Sequence, residues 1–363
     1  MGIRKLNKFL INKGLVIEYS SLYDYINHIK KSKCNNSLNG KIIVAIDFWL
    51  YAHKFLHSAK SDNIVMGFCN QIFKFYLSGA IPLYVIDGAV PIEKEQKVNK
   101  RENKREKIKN KISDIDVAIE NYVNLDDIAK TQIDIEKLVL KKEKLQKQIK
   151  RVKPNELSNI IKLFELMNVP YIQAEYEADA LCAKLYKERI ITTCLSDDMD
   201  ILTLGCGSMI KIQEGKIYEF NLNHINKKLG YTQDQLIDLC IMFGCDYLQH
   251  SVRLDCDTIY ELIKKYGSIL DILSSNKHEV LNMNNSNVKI IGENYYHVRD
   301  IYIESPDREQ IPEYLYDIKL DYIIDIDFVK FIKRNIGNID DKLIKSICNG
   351  IHKINHFISK KML

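Results

Sequence analysis

Long apolar runs are missing from this chain: no stretch approaches the ~20 residues that a membrane-spanning helix needs. None of its nine cysteines stands in a C-x-x-C pair or at metal-ligand spacing, so a zinc ribbon and a disulfide framework are both disfavoured. Cys69, Cys182, Cys194 and Cys240 lie in apolar contexts, as buried free thiols of a reducing compartment do. The start, Met1-Gly2-Ile3-Arg4-Lys5-Leu6, lacks the sustained apolar core of a signal peptide. Leu6 also stands where a myristoylation motif needs Ser or Thr. Internal repeats and low-complexity tails are absent as well. These absences predict a soluble, intracellular protein without a membrane partner. The net charge of +5 is too small to argue for a polyanionic partner by itself, so the distribution of charge has to carry that question. With 363 residues, 46% hydrophobic and 28% charged, the chain is long enough for one large domain or two smaller ones with a sizeable core.

What is present is a pattern of acids. Asp47 ends the apolar run Ile42–Ile46, and Asp87 ends Pro82–Ile86. Glu177 and Asp179 follow Val169–Ile172, Asp198 and Asp200 follow Ile190–Leu195, and Asp246 sits in Phe243-Gly244-Cys245-Asp246-Tyr247. Short β-rich runs that each end in an acid predict a parallel sheet whose carboxyl edge gathers negative charge. That edge is where open α/β sheets bind ligands. Crowded carboxylates raise one another's pKa, and hard divalent cations such as Mg²⁺ relieve the repulsion.

Singly, each acid has a plainer reading. Asp47 and Asp87 suit turns or helix N-caps, and Glu177 and Asp179 suit a helix N-terminus through the dipole. Residues two apart share no helix face, so that pair converges only if Glu177 lies in the first turn or the cap. Ser196–Asp200 reads as an exposed turn. Asp246, after an apolar helix, meets the unfavourable end of the dipole. Together, five chain segments that bring acids to element ends favour a two-metal site for phosphodiester displacement.

Up to about Lys94, strand-like and helix-like segments alternate, with helical spacing over Phe48–Leu56 and Met66–Leu77. This implies βαβ units. Residues 94–153 contain neither Gly nor Pro, and a thin apolar stripe through Val117, Tyr122, Leu125, Ile128, Ile133, Leu138, Leu145 and Ile149 predicts helix. Charge there runs basic (Lys94, Lys97, Lys100, Arg101, Lys104, Arg105), then acidic (Asp114, Asp116, Asp126, Asp127), then basic again (Lys141 to Lys153). A helical hairpin would bring both basic feet together with the acidic part at its tip; from charge alone a solvated coiled coil reads equally well. After Pro154 the alternation resumes to Leu204, with helices over Leu157–Met167 and Glu177–Lys187 and strands over Pro170–Gln173 and Arg189–Leu195. From Thr232 onward the chain reads as helical. Residues 283–312 are polar and poorly patterned, and Asp325–Lys361 form a last helical block.

The runs Met1-Gly2-Ile3, Val44-Ala45-Ile46-Asp47, Tyr84-Val85-Ile86-Asp87-Gly88, Val169-Pro170-Tyr171, Glu177-Ala178-Asp179-Ala180, Asp198-Met199-Asp200-Ile201-Leu202-Thr203 and Gly244-Cys245-Asp246-Tyr247 occur in that order. From Met1 to about Ile263 the chain resembles the XPG/flap endonuclease family of structure-specific 5′ nucleases. The resemblance implies an α/β fold: a PIN-like, mostly parallel central sheet flanked by helices, with a helical arch and a helical, helix-hairpin-helix-like C-terminal region. It divides the chain into 1–93 and 154–250 as two parts of the nuclease core, 94–153 as the arch, and 251–363 as the C-terminal region. The implied activity is Mg²⁺-dependent hydrolysis of phosphodiester bonds in branched DNA such as 5′ flaps. It would serve replication and repair, with two ions, Mn²⁺ as a substitute, and a monomeric protein.

By the same resemblance, Asp47, Asp87, Glu177, Asp179, Asp198, Asp200 and Asp246 hold metal, Asp87 and Glu177 among them being catalytic. Lys94 and Arg101, about two helical turns apart on one face, would meet the scissile phosphate. Gly2, Tyr51, His53, Lys94, Lys97, Arg101, Lys104 and Arg105 would contact nucleic acid, with a single-stranded 5′ end passing the basic feet.

Four departures from the family's pattern stand out. Asp179 replaces the usual Glu, keeping charge but shortening reach. The Gly-Ile-Gly hairpin loop that holds duplex phosphates falls on Arg253-Leu254-Asp255-Cys256-Asp257, which lacks both glycines and turns two acids toward phosphate. The stacking aromatic falls on His53, with Tyr51 and Trp49 nearby. His352–Leu363 carry no sliding-clamp motif. A 5′–3′ exonuclease on DNA or RNA and a non-catalytic nucleic-acid-binding relative remain as alternative readings.

Overall fold

A computed structural model describes residues 2–3, 5–32, 40–57, 63–123, 128–248, 254–275, 285–336 and 341–361. The side chains of 96–97, 122–123, 128–134, 285–293, 336, 341, 343 and 360–361 are left aside. Seven strands form one sheet: β1 (Ile17–Tyr19), β2 (Ile43–Asp47), β3 (Ile81–Ile86), β4 (Tyr171–Gln173), β5 (Thr193–Leu195), β6 (Ser208–Gln213) and β7 (Lys216–Asn221). Their spatial order is β1-β7-β6-β5-β2-β3-β4. The five strands from β6 to β4 run parallel, while β7 lies antiparallel to both β6 and β1.

The runs ending at Asp47 and Ile86 are buried almost throughout, Val44, Ala45, Ile46, Leu83 and Tyr84 completely. Continuous apolar character suits strands covered on both faces. Around them Phe48, Phe68, Tyr84 and Phe164 make an aromatic cluster in which the Tyr84 and Phe164 rings stack with centroids 4.3 Å apart. The chain lays down β2, β3 and β4 in one direction, then returns to add β5 and β6 on the other side of β2. The reversal between β2 and β5 is the switch point at which such sheets open a crevice.

Helices Glu95–Val123 and Ile128–Ile149 pack against each other between β3 and β4. Lys142 pairs with Asp116 at 2.5 Å, and Arg151 pairs with Glu102. The charge pattern thus belongs to a hairpin with adjoining basic feet; its tip, including Asp126 and Asp127, lies outside the described residues.

Two elements differ from expectation. Residues 285–308, expected to be poorly patterned, form one helix, Asn285–Arg308. Its buried side chains Tyr295, Val298, Ile301 and Tyr302 do follow helical spacing, but a polar majority dilutes the stripe. Arg299 also anchors the helix by donating to buried Asp238 at 3.0 Å. The β6–β7 hairpin was not anticipated at all. Its two-residue turn, Glu214-Gly215, has φ of 51° and 84°, the positive values that tight hairpins require. Among the described residues no helix is long and apolar enough to cross a membrane.

Candidate metal centre and nucleic-acid cleft

Four neighbouring parallel strands bring six of the acids to the same edge. Asp47 ends β2 and caps the helix Phe48–Leu56, its Oδ1 accepting the Leu50 N–H at 3.0 Å. Its other oxygen accepts the Ser196 hydroxyl at 3.2 Å. Asp87 follows β3, and its Oδ1 accepts the Ala178 N–H at 2.8 Å across the edge. Glu177 is the N-cap of the helix Ala178–Lys187, as its convergence with Asp179 demands, yet its side chain makes no cap bond. Instead it meets Lys94 Nζ at 2.5 Å and accepts the Tyr247 hydroxyl at 3.0 Å.

After β5, Asp198 Oδ1 accepts the Asp200 N–H at 3.1 Å, and Asp200 opens the short helix Asp200–Thr203. Asp246 comes from a different layer, beyond the helix Gln233–Phe243, where Gly244 at φ 94° turns the chain. A cleft of about 410 Å³ is lined by Asp47, Asp87, Glu177, Asp179, Asp198 and Asp246, with Trp49, His53, Lys94, Val98 and Arg101. Asp200 lies beneath it, 1% exposed.

The electrostatics are those of a site short of positive charge. Burial, then the charges of Asp87 and Asp198, push the Asp47 carboxyl up to about 7 against the pull of Leu50 and Ser196. Burial and Asp198 push Asp200 up to about 8, with Lys94 opposing. Burial, then Asp198 and Asp47, likewise hold Asp179 far above the usual carboxylate range. Burial works to lower the Lys94 ammonium, but Tyr247, Glu177 and Asp200 outweigh it and hold it above its ordinary value.

Asp179 Oδ1 and Asp200 Oδ2 are buried with no hydrogen-bond partner. Orphaned buried carboxylate oxygens are costly and suit an oxygen-seeking cation. No three acidic, histidine or cysteine side chains among the described residues stand at coordination spacing. The lone pairs that would reach an ion go to Leu50, Ala178, Tyr247 and Lys94, and Lys94 is the positive charge in contact with Glu177. The donor set fits a hard divalent ion, with Asp179 and Asp200 offering free oxygens.

Gly2 borders this site. A Cβ there would fall 1.8 Å from Asp198 Oδ1, and the backbone has φ +74°, so only glycine fits. His53 lies at the cleft wall, its ring nearly parallel to His57 and 6.4 Å away; burial, then His57, Arg105 and Arg151, lower its pKa. Tyr51, expected to contact nucleic acid, is instead buried, 6% exposed, two helix positions from Trp49 and His53, which line the cleft. Arg101 lines the cleft, Lys104 is exposed further along the same helix, and Arg105 pairs with Glu102 at 3.3 Å. The Lys97 side chain and Arg253 lie outside the described residues.

At the altered hairpin loop, Asp255 caps the helix Cys256–Tyr266 by accepting the Thr258 N–H at 2.9 Å, and Asp257 pairs with Lys13 at 2.7 Å. The helix N-terminus is thus satisfied internally. Cys69, Cys182, Cys194, Cys206, Cys240 and Cys245 are buried free thiols.

Three side chains at the centre were not singled out by the sequence. Tyr247 stands beside Asp246, a signal that was available. Tyr302, which donates to Asp200 Oδ1 at 3.3 Å, and Glu309, which accepts three loop N–H groups, come from a segment with no motif.

Residues 1–108 match the XPG N-terminal domain and residues 168–246 the XPG I-region. The chain is 28% identical over 301 residues to Flap endonuclease 1 of Entamoeba histolytica, covering 77% of this chain and 72% of that protein. It is 30% identical over 285 residues to Flap endonuclease 1 of Dictyostelium discoideum, covering 75% and 68%. Its fold matches the catalytic core of Rad2 in complex with DNA substrate at a TM-score of 0.65 and 16% identity, over 97% of this chain and 100% of that one. Two domain matches in register with the acid-bearing strands, and relatives similar over most of their length, make this chain a member of the XPG/flap endonuclease family.

Proposed function

We propose that the protein is a divalent-metal-dependent structure-specific 5′ nuclease that hydrolyses phosphodiester bonds in branched DNA such as 5′ flaps. The observation that carries this reading is the convergence of five strand-end acids and Asp246 on one cleft that also holds Lys94 and Arg101, with Asp200 buried next to Asp198. Two Mg²⁺ ions, or Mn²⁺ in their place, would supply Lewis acidity at the attacking and leaving oxygens. Asp47, Asp87, Glu177 and Asp179 would hold one, Asp198 and Asp200 the other, with Asp246 in support.

The remaining work falls to the chain. Lys94 and Arg101 meet the scissile phosphate and offset charge that grows on it; to do so Lys94 exchanges its contact with Glu177 for phosphate. Trp49 and His53 offer ring faces to a base next to the bond. The basic feet of the 94–153 arch guide a single-stranded 5′ end. Residues 1–93 and 154–250 act as the catalytic core and 251–363 as the side that meets duplex, by contacts other than the self-capped helix at Asp255. Replication and repair are the processes this chemistry serves, with the protein acting as a monomer.

A substrate panel tests the reading: 5′-labelled flap, nick, bubble, four-way junction, single strand and matched RNA, each in Mg²⁺ and in EDTA. Flap cleavage in Mg²⁺ that is lost in EDTA and in Asp200→Asn supports it. Processive loss of single nucleotides would make the protein a 5′ exonuclease. Binding without cleavage, identical in wild type and Asp200→Asn, would make it a non-catalytic relative.

A further inference from the structure

The helix Ala178–Lys187 starts with N–H groups that have no carbonyl one turn back. An N-cap side chain normally accepts one of them, but this N-cap, Glu177, turns its carboxylate to Lys94 and Tyr247. Two distant acids instead hold the backbone at and before the helix start. Asp87 accepts the Ala178 N–H at 2.8 Å. The three preceding N–H groups, of Glu175, Tyr176 and Glu177, converge on the carboxylate of Glu309 at 2.8, 3.1 and 3.1 Å.

Glu309 is 1% exposed and follows directly on the helix Asn285–Arg308, whose Tyr302 reaches Asp200. Lys184 pins the segment by donating to the carbonyls of Asp307 and Glu309. On its other side the same loop is held by β3: the Gly88 and Ala89 N–H groups donate to the Tyr176 and Glu175 carbonyls at 2.8 and 2.9 Å. Gly88 is essential to that approach, since a Cβ there would stand 2.1 Å from the Ala174 carbonyl oxygen.

We propose that Glu309 is a positioning residue for the metal centre: by accepting the N–H groups of residues 175–177 it fixes the loop from which Glu177 and Asp179 project. The proposal rests on the reading of those acids as metal ligands. Glu309 does not line the cleft that holds the acids, and three backbone donors hold its oxygens. Without it, three N–H groups at and before Glu177 lose their acceptor, and the loop that carries Glu177 and Asp179 loses its anchor. Partners that orient a metal ligand in this way are worth 10–100-fold in metal affinity or activity.

The full-length chain with Glu309→Gln, Glu309→Ala and, as a surface control, Arg308→Ala tests this. Mn²⁺ binding to the free protein is measured by calorimetry, Mg²⁺ dependence by flap cleavage, and flap binding in EDTA. Glu309→Gln keeps shape and one acceptor oxygen but turns an amide N–H toward a backbone donor. Its Mn²⁺ affinity should fall about tenfold, and its half-maximal Mg²⁺ concentration should rise to match. Flap binding in EDTA should stay within about twofold of wild type. Glu309→Ala should go further, and Arg308→Ala should behave as wild type. Unchanged Mn²⁺ affinity in Glu309→Gln, or activity lost only in proportion to unfolded protein by circular dichroism, overturns the proposal. If wild type binds Mn²⁺ and Glu309→Gln weakens it, but no DNA is cut, the positioning role stands and the nuclease reading fails. A wild-type protein that binds no Mn²⁺ overturns both.

Discussion

Replacing Asp200 by Asn should abolish cleavage and yet stabilise the metal-free protein. Asp200 is 1% exposed, and burial together with Asp198 holds its carboxyl near 8 when no cation is bound. An unfolded chain would ionise it near 3.9. The sign follows from linkage: a carboxyl raised in the folded state contributes full stability only below its unfolded value, and that stability drains away as pH climbs to the folded value. By pH 8 the difference amounts to on the order of 5 kcal/mol.

A single substitution recovers less, because the other buried acids, Asp179 and Asp47, keep their raised carboxyls. The new amide also leaves its NH₂ unpaired where Asp200 Oδ2 had no partner, which costs about 1–3 kcal/mol. A net gain of about 1–3 kcal/mol remains, roughly 1–4 °C in a chain of this size. Melting would be followed by circular dichroism at pH 6 and 8.5, in EDTA and in Mg²⁺. In EDTA the wild type should melt lower at pH 8.5 than at pH 6, with a smaller difference for Asp200→Asn. Mg²⁺ should raise the wild type more than the variant. A variant that melts lower than wild type in EDTA at pH 8.5, with an unchanged pH dependence, refutes the electrostatic account.

Gly2→Ala should cut flap cleavage at least about tenfold, because positive φ and the approach to Asp198 both exclude a Cβ; single-turnover assays beside melting curves would separate this from unfolding. Tyr51→Phe should leave flap affinity unchanged, whereas Trp49→Ala should weaken binding by about 1–3 kcal/mol if a base stacks there, read by fluorescence anisotropy. Asp255→Ala should lower the denaturation midpoint through loss of the cap to Thr258. Lys94→Met should reduce cleavage at saturating Mg²⁺ by 100-fold or more, as expected when a cation facing the transferred group is lost.

The strand-end acids were legible because a continuous apolar run that stops at an Asp is a one-dimensional signal of a buried parallel strand and its edge. The helical hairpin could be read from the absence of Gly and Pro and from alternating charge blocks. What escaped was non-local. Tyr51 and His53 look equivalent in sequence, and only packing decides that one faces the core and the other the cleft. Glu309 carries no pattern, since its role depends on backbone N–H groups more than a hundred residues away. The helix Asn285–Arg308 buries a stripe too narrow to announce itself among polar neighbours.

The position of β5 in the sheet has a consequence for synthesis. Its neighbour β2 is made 149 residues earlier, with the whole arch hairpin emerging in between. Until β5 is threaded beside β2, Asp198 and Asp200 stand apart from Asp47, and Glu309 leaves the ribosome later still. Nascent chains should therefore be incapable of cutting nucleic acid, and the centre should be among the last parts of the molecule to be assembled, a built-in delay that spares the cell a half-made nuclease.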